Sequence, residues 1–248
     1  MEGHRRSIEK SNVGVVASTE HVYKDPLGAF QRLRDLSQGL PVAVIPGLEW
    51  IAREGVEIIF WLDSEASLVS ALRTLGPFSH SVWDTGRLKD DLGAIACVPH
   101  PFTPGRTGAA NRLGLRDFGR LLDQADYVEK HNGIAGQFGD LILFERLRRL
   151  CPALCEKIRL TGHLPDEFCR PGLGWSVGSD AHFPGELRLA GRHESMGGPG
   201  WFDALAGRLH FDPVELEPHR TGSGQMRRNM ASLLSVMGEA LMKRALRR

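Results

Sequence analysis

A chain of 248 residues with 42% hydrophobic and 25% charged residues has the make-up of a globular protein, which excludes a disordered or fibrous one. The formal net charge is +1, so no global excess of base calls for a nucleic-acid partner. The opening "MEGHRRSIEK" lacks the apolar core of a secretory leader, and no run approaches about 18 apolar residues, so a cytoplasmic protein with no membrane span is expected.

In chain order, the first residues read as the end of a helix, and "VGVVAS" (13–18) follows as a short buried strand. "DPLGAFQRLRDL" has the Asp-Pro start of an amphipathic helix. "PVAVIPGLEW" (41–50) and "VEIIFWL" (56–62) are strands on either side of Arg53-Glu54-Gly55, which predicts an antiparallel hairpin. "AIACVPH" (94–100), "DYVEKH" (126–131) and "WSVGSD" (175–180) are further strands, with "LRDFGRLLDQ" a helix between the first two. Glycine and proline at 104–108, 171–174 and 197–200 mark loops over one end of a sheet. The tail places Met226, Met230, Leu233, Leu234, Met237 and Leu241 on one helical face, a packing seam, so 222–248 is expected to be an amphipathic helix lying on a single domain spanning 1–248. Cys97, Cys151, Cys155 and Cys169 show no Cys-x-x-Cys spacing and read as reduced structural thiols; a zinc knuckle from Cys151, Cys155 and His163 is the alternative. Strand-helix alternation makes the fold class α/β, with a largely parallel sheet, open or closed.

Several of the apolar runs carry or end in chemistry-bearing residues. His21 follows the first, Glu49 lies inside the second, His100 follows the fourth, and Asp180 and His182 follow the last. In a parallel α/β fold the carboxyl ends of strands converge on one face, so these five residues are expected to meet. Strand alternation puts Asp180 and His182 on one side. Three imidazoles and two carboxylates form a hard-to-borderline ligand set suited to Zn, Mn or Fe. A buried carboxylate such as Glu49 needs a cation or a donor in any case.

The ordered series "STEH", "PGLEW", "VPHP", "VEKHNG" and "GSDAH" resembles the PHP (polymerase and histidinol phosphatase) family of metal-dependent phosphoesterases over about residues 13–191. The resemblance implies a distorted (β/α)7 TIM-like barrel with two or three divalent ions at its carboxyl-end face. By similarity Glu49 bridges two ions, His100 completes one of those sites, Asp180 binds the first ion, and His21 with His182 serve the remaining one. Glu49 and Asp180 are then the residues expected to be catalytic. The family's opening His-x-His is absent, which implies a barrel without its first strand and leaves one metal position with Glu49 and Asp180 as its evident ligands.

Glu57 stands where many members carry a ligating histidine, and reads equally as an oxygen donor to metal or as a solvent-facing hairpin residue. His131 is a second possible ligand, with Glu129 and Asn132 of the same motif as orienting groups. Arg106 and Arg192 are candidates to clamp a phosphate. The expected activity is hydrolysis of a phosphate ester on a small phosphorylated metabolite or nucleotide. The near-neutral charge disfavours long nucleic acid. The alternative is a degenerate PHP-fold protein that binds a ligand or partner without catalysis. An open barrel edge also makes a homo-oligomer an expectation.

Overall fold

Two of the helices begin where the chain supplies a side-chain cap. A computed structural model describes residues 2–102, 108–133, 149, 168–181, 187, 189–194 and 200–216. Helix α1 (Glu2–Ser11) precedes strand β1 (Val15–Ser18), and α2 (Pro26–Leu36) opens with proline while its Asp25 cap accepts a 2.9 Å hydrogen bond from Gly28 N. Ser64 caps α3 (Glu65–Thr74) by accepting from Ser67 N at 3.2 Å, and α4 (Thr85–Leu92) ends on Gly93 at a φ of 59°.

The sheet has six strands in the order β1-β2-β3-β4-β5-β6, with β2 at Ala43–Ile51, β3 at Glu57–Trp61, β4 at Ile95–Val98, β5 at Tyr127–Asn132 and β6 at Gly174–Gly178. β1 and β2 are parallel, as are β4 with β5 and β5 with β6. The expected hairpin is present: Gly55, at a φ of 83°, reverses the chain so that β2 and β3 pair antiparallel. Because β3 alone is reversed, β4 also pairs antiparallel with it, a consequence that the sequence reading did not draw. Helices α5 (Ala109–Leu113) and α6 (Leu115–Leu122) carry the crossover between β4 and β5. The result is a mixed α/β fold with a curled six-stranded half-barrel, compatible with a distorted TIM-like barrel.

A second, two-stranded sheet of β7 (Leu189–Arg192) and β8 (Asp212–Glu215) encloses α7 (Trp201–Ala206), and none of these three elements was expected from the sequence. Just before β8, His210 forms a parallel bridge with Trp175 and stacks on its ring at 4.1 Å. All the described residues fall within one compact unit bounded by Met1 and Leu216. The helix expected over 222–248, and the knuckle residues Cys151, Cys155 and His163, lie outside the described residues. Cys97 is buried and Cys169 partly buried. Among the described residues no helix is long and apolar enough to cross a membrane.

Alternation divides the half-barrel into two faces. Leu48, Trp50, Ile58, Phe60, Val98 and Val128 point outward and are buried against the helices, where each large apolar side chain is worth about 1.5–3 kcal/mol. The inward face is apolar at the amino end of the parallel strands, where Ile45, Ile95 and Tyr127 pack on Leu205 of α7. The Tyr127 hydroxyl donates to Leu205 O at 2.6 Å and accepts from Leu209 N at 2.8 Å, so α7 is fastened under the curl. The same inward rows then turn polar toward the carboxyl end, through Ser176 to Glu49, Glu57 and Glu129, all buried or nearly so.

Candidate metal centre

The second strand aims Glu49 inward because Leu48 and Trp50, its neighbours, are committed to the outer core. His21 is delivered by the turn after β1: it forms a parallel bridge to Glu49, flanked by hydrogen bonds from Glu49 N to Glu20 O (3.0 Å) and from Val22 N to Glu49 O (2.9 Å). Glu20 accepts from the His21 backbone N–H at 2.9 Å, so it shapes the turn. His100 follows β4 at a φ of 29°, and Asp180 follows β6 at 52°, both in a region that non-glycine residues rarely occupy. Glu57 starts β3, and because that strand is reversed it arrives at the same end as Glu49.

These side chains converge. His21 Nδ1 lies 2.9 Å from Glu49 Oε2, His100 Nε2 lies 3.3 Å from Glu49 Oε1, and 3.6 Å separates His100 Nε2 from Glu57 Oε2. Ligand atoms of His21, Glu49 and Glu57 all fall within 4.8 Å of one another. Asp180 joins through Asn132, whose Nδ2 is 3.4 Å from Asp180 Oδ2 and donates to Glu129 Oε2 at 2.9 Å. Glu57 is only 7% exposed, so it is no solvent-facing hairpin residue.

The electrostatics are those of a site short of positive charge. Three acids, Glu49, Glu57 and Glu129, are enclosed with two imidazoles, and an uncompensated buried carboxylate is costly. Burial works against charge on His100, yet its hydrogen bond to Glu49 and the fields of Glu57 and Asp180 outweigh that and push its pKa up to about 10. His21 is raised in the same way, burial being overcome by Glu49. Burial favours the neutral form of Glu49, but contacts with His100 and His21 hold its carboxyl well below the usual range. Glu129 moves the other way, to about 7, because burial and the nearby Asp180 outweigh its donors.

A divalent cation fits this donor set. His21 Nδ1, a buried nitrogen, lies 2.9 Å from Glu49 Oε2, and His100 turns its Nε2 toward Glu49 and Glu57. Two imidazole nitrogens and two carboxylates are the ligand types of Zn, Mn or Fe sites, and His21, Glu49, Glu57 and His100 are the residues that could hold an ion.

Of the other expected site residues, His182 and Arg106 lie outside the described residues. Arg192 ends β7, exposed and opposite Asp212 in the small sheet. His131 follows a β-bulge between Glu129 and His131 that takes it out of the inward alternation, and it is not among the converging ligand atoms. Tyr23 stacks on His21 at 4.8 Å and is 38% exposed, a contact that residue spacing does not announce.

No family model and no curated protein matches the chain. The fold is similar to that of PsfC from Pseudomonas syringae, with a TM-score of 0.55 and 16% identity over 95% of this chain and 89% of that one. A lesion-specific endonuclease from Pyrococcus furiosus aligns with a TM-score of 0.49 and 12% identity, and this chain spans 46% of its length. A two-domain protein from Bacteroides vulgatus, containing a predicted PHP-like metal-dependent phosphoesterase, aligns at 0.41 and 16% identity, with 48% of its length covered.

Proposed function

We propose that this chain is a metal-dependent phosphoester hydrolase of the PHP type. The observation that carries the reading is the convergence of His21, Glu49, Glu57 and His100 at the carboxyl end of a half-barrel. Divalent cations supply charge neutralisation for a phosphoryl group and a water acidic enough to attack at neutral pH.

The chain's own residues divide the remaining work. Glu49, with His21 on one side and His100 on the other, would hold cations through its carboxylate. Glu57 adds a second oxygen beside His100. Asp180, on the far rim, offers a carboxylate to a further position, where His182 would join it by the motif. The apolar rows beneath, with Ile45, Ile95 and Tyr127, keep water from approaching from below.

A small phosphorylated metabolite or nucleotide is the substrate class we favour, and the formal charge of +1 does not by itself separate it from a nucleic-acid strand. The purified chain is therefore assayed for metal content and for hydrolysis of an aryl phosphate, a nucleoside monophosphate and a DNA strand, with Mn, Zn or Fe. The reading expects at least one bound ion per chain and turnover lost in Glu49→Ala and Asp180→Ala. Stoichiometric metal without turnover on any ester would favour the degenerate, ligand-binding reading, and a chain that takes up no metal would sink both.

A further inference from the structure

We propose that Glu129 is a positioning residue, a single buried carboxylate that clamps the two strained turns bearing His100 and Asp180, and that Gly178 is glycine in order to admit it. The consequence for metal rests on the metal-centre reading above; the clamp itself does not.

The sheet order places β5 between β4 and β6. His100 comes two residues after the end of β4 and Asp180 two residues after the end of β6, each in the left-handed region. Such conformations persist for non-glycine residues only where neighbours enforce them. From the central strand Glu129 reaches both: its Oε2 accepts the backbone N–H of His100 at 2.7 Å and the Nδ2 of Asn132 at 2.9 Å, and that same Nδ2 lies 3.4 Å from Asp180 Oδ2.

Two local features serve this arrangement. Residues 129 and 132 would face opposite sides of an unbroken strand, and the bulge between Glu129 and His131 puts both on the inner side. Gly178 is the ladder partner of Asn132, and a Cβ on it would stand 1.9 Å from Glu129 Oε1. Any other residue at 178 would displace the carboxylate, since the nearest atoms a Cβ there would meet are those of Glu129.

The test is made first on metal-free protein, by amide hydrogen exchange of His100. Protection at His100 is expected to fall at least about tenfold in Glu129→Ala and in Gly178→Ala, and to be retained in Glu129→Gln, which keeps an acceptor, while Cys97 and Val98 in the β4 ladder stay protected in all three. Titration with Co(II), read by its visible spectrum, is expected to show affinity down about 10–100-fold in the two alanine variants and restored in Glu129→Gln. Should Glu129→Ala not fold, Gly178→Ala carries the test, since every ligand side chain remains. Unchanged protection at His100 in the alanine variants, or unchanged Co(II) affinity in both, overturns the clamp. If wild-type protein takes up no Co(II) while His100 behaves as expected, the metal-centre reading falls and the clamp stands.

Discussion

Glu49 sits between two imidazoles, and that placement sets the protonation of the metal-free site. His100, pushed up to about 10, is held charged by the acids around it. A histidine whose folded pKa exceeds its unfolded value stabilises fully below the unfolded value and loses that contribution as pH rises through the folded one. The metal-free protein is therefore expected to lose stability between about pH 7 and pH 10. Added Zn or Mn replaces the lost charge, so the rise in Tm on adding metal should grow over the same range; a Tm difference that shrinks with pH would contradict this. Glu57 makes a second prediction at this scale. If it supplies an oxygen to metal, Glu57→Ala should weaken binding about tenfold or more, measured by calorimetry, whereas a purely structural acid would leave affinity unchanged.

At the scale of elements, paired glycines on β6 leave room for large neighbours on β5. Gly174 faces Tyr127 across the ladder, and a Cβ there would lie 2.4 Å from the Tyr127 ring. Tyr127 fastens α7 through Leu205 and Leu209, so Gly174→Ala should cost roughly 1–3 kcal/mol in urea unfolding, the range for overpacking a filled core. The Ser64 cap of α3 is a smaller term: Ser64→Ala should cost about 1 kcal/mol and leave metal affinity untouched, since α3 packs on the outer face. The hairpin at Gly55 matters more for function than its length suggests. It reverses β3, and only a reversed β3 can bring Glu57, its first residue, to the end where Glu49 sits.

For the molecule as a whole, the outer core and the inward rim have separable roles. The outer cluster, with Trp50, Phe60 and Leu48 fully buried, supplies the stability that lets the rim hold three buried acids and two strained turns. A cation that binds only the folded chain adds RT ln(1 + [L]/Kd), about 2.7 kcal/mol at a hundredfold excess over Kd. For a domain of this size that corresponds to a Tm raised by roughly 5–10 °C and reversed by a chelator, checked by thermal scans with and without EDTA. A chelator-insensitive Tm in metal-loaded protein would count against a rim site.

The succession of strands along the chain, the antiparallel hairpin, the place of Glu49 inside a strand and those of His21, His100 and Asp180 after strands were legible in the sequence, because alternation and turn chemistry are local. The small β7–β8 sheet was not, since its strands of four residues carry no apolar run long enough to show a period. Nor could residue types alone decide between two readings of Glu57, because whether a hairpin residue faces water or the inside of a curl depends on the curl. What only the tertiary structure decided is the juxtaposition itself. Glu129 under the His100 amide, Gly178 against Glu129 and Tyr23 on His21 are all set by how strands and turns distant along the chain, or curled back on themselves, come to lie side by side. Sequence spacing determines which side of its own strand a residue takes; the curl and register of the sheet determine what it meets there.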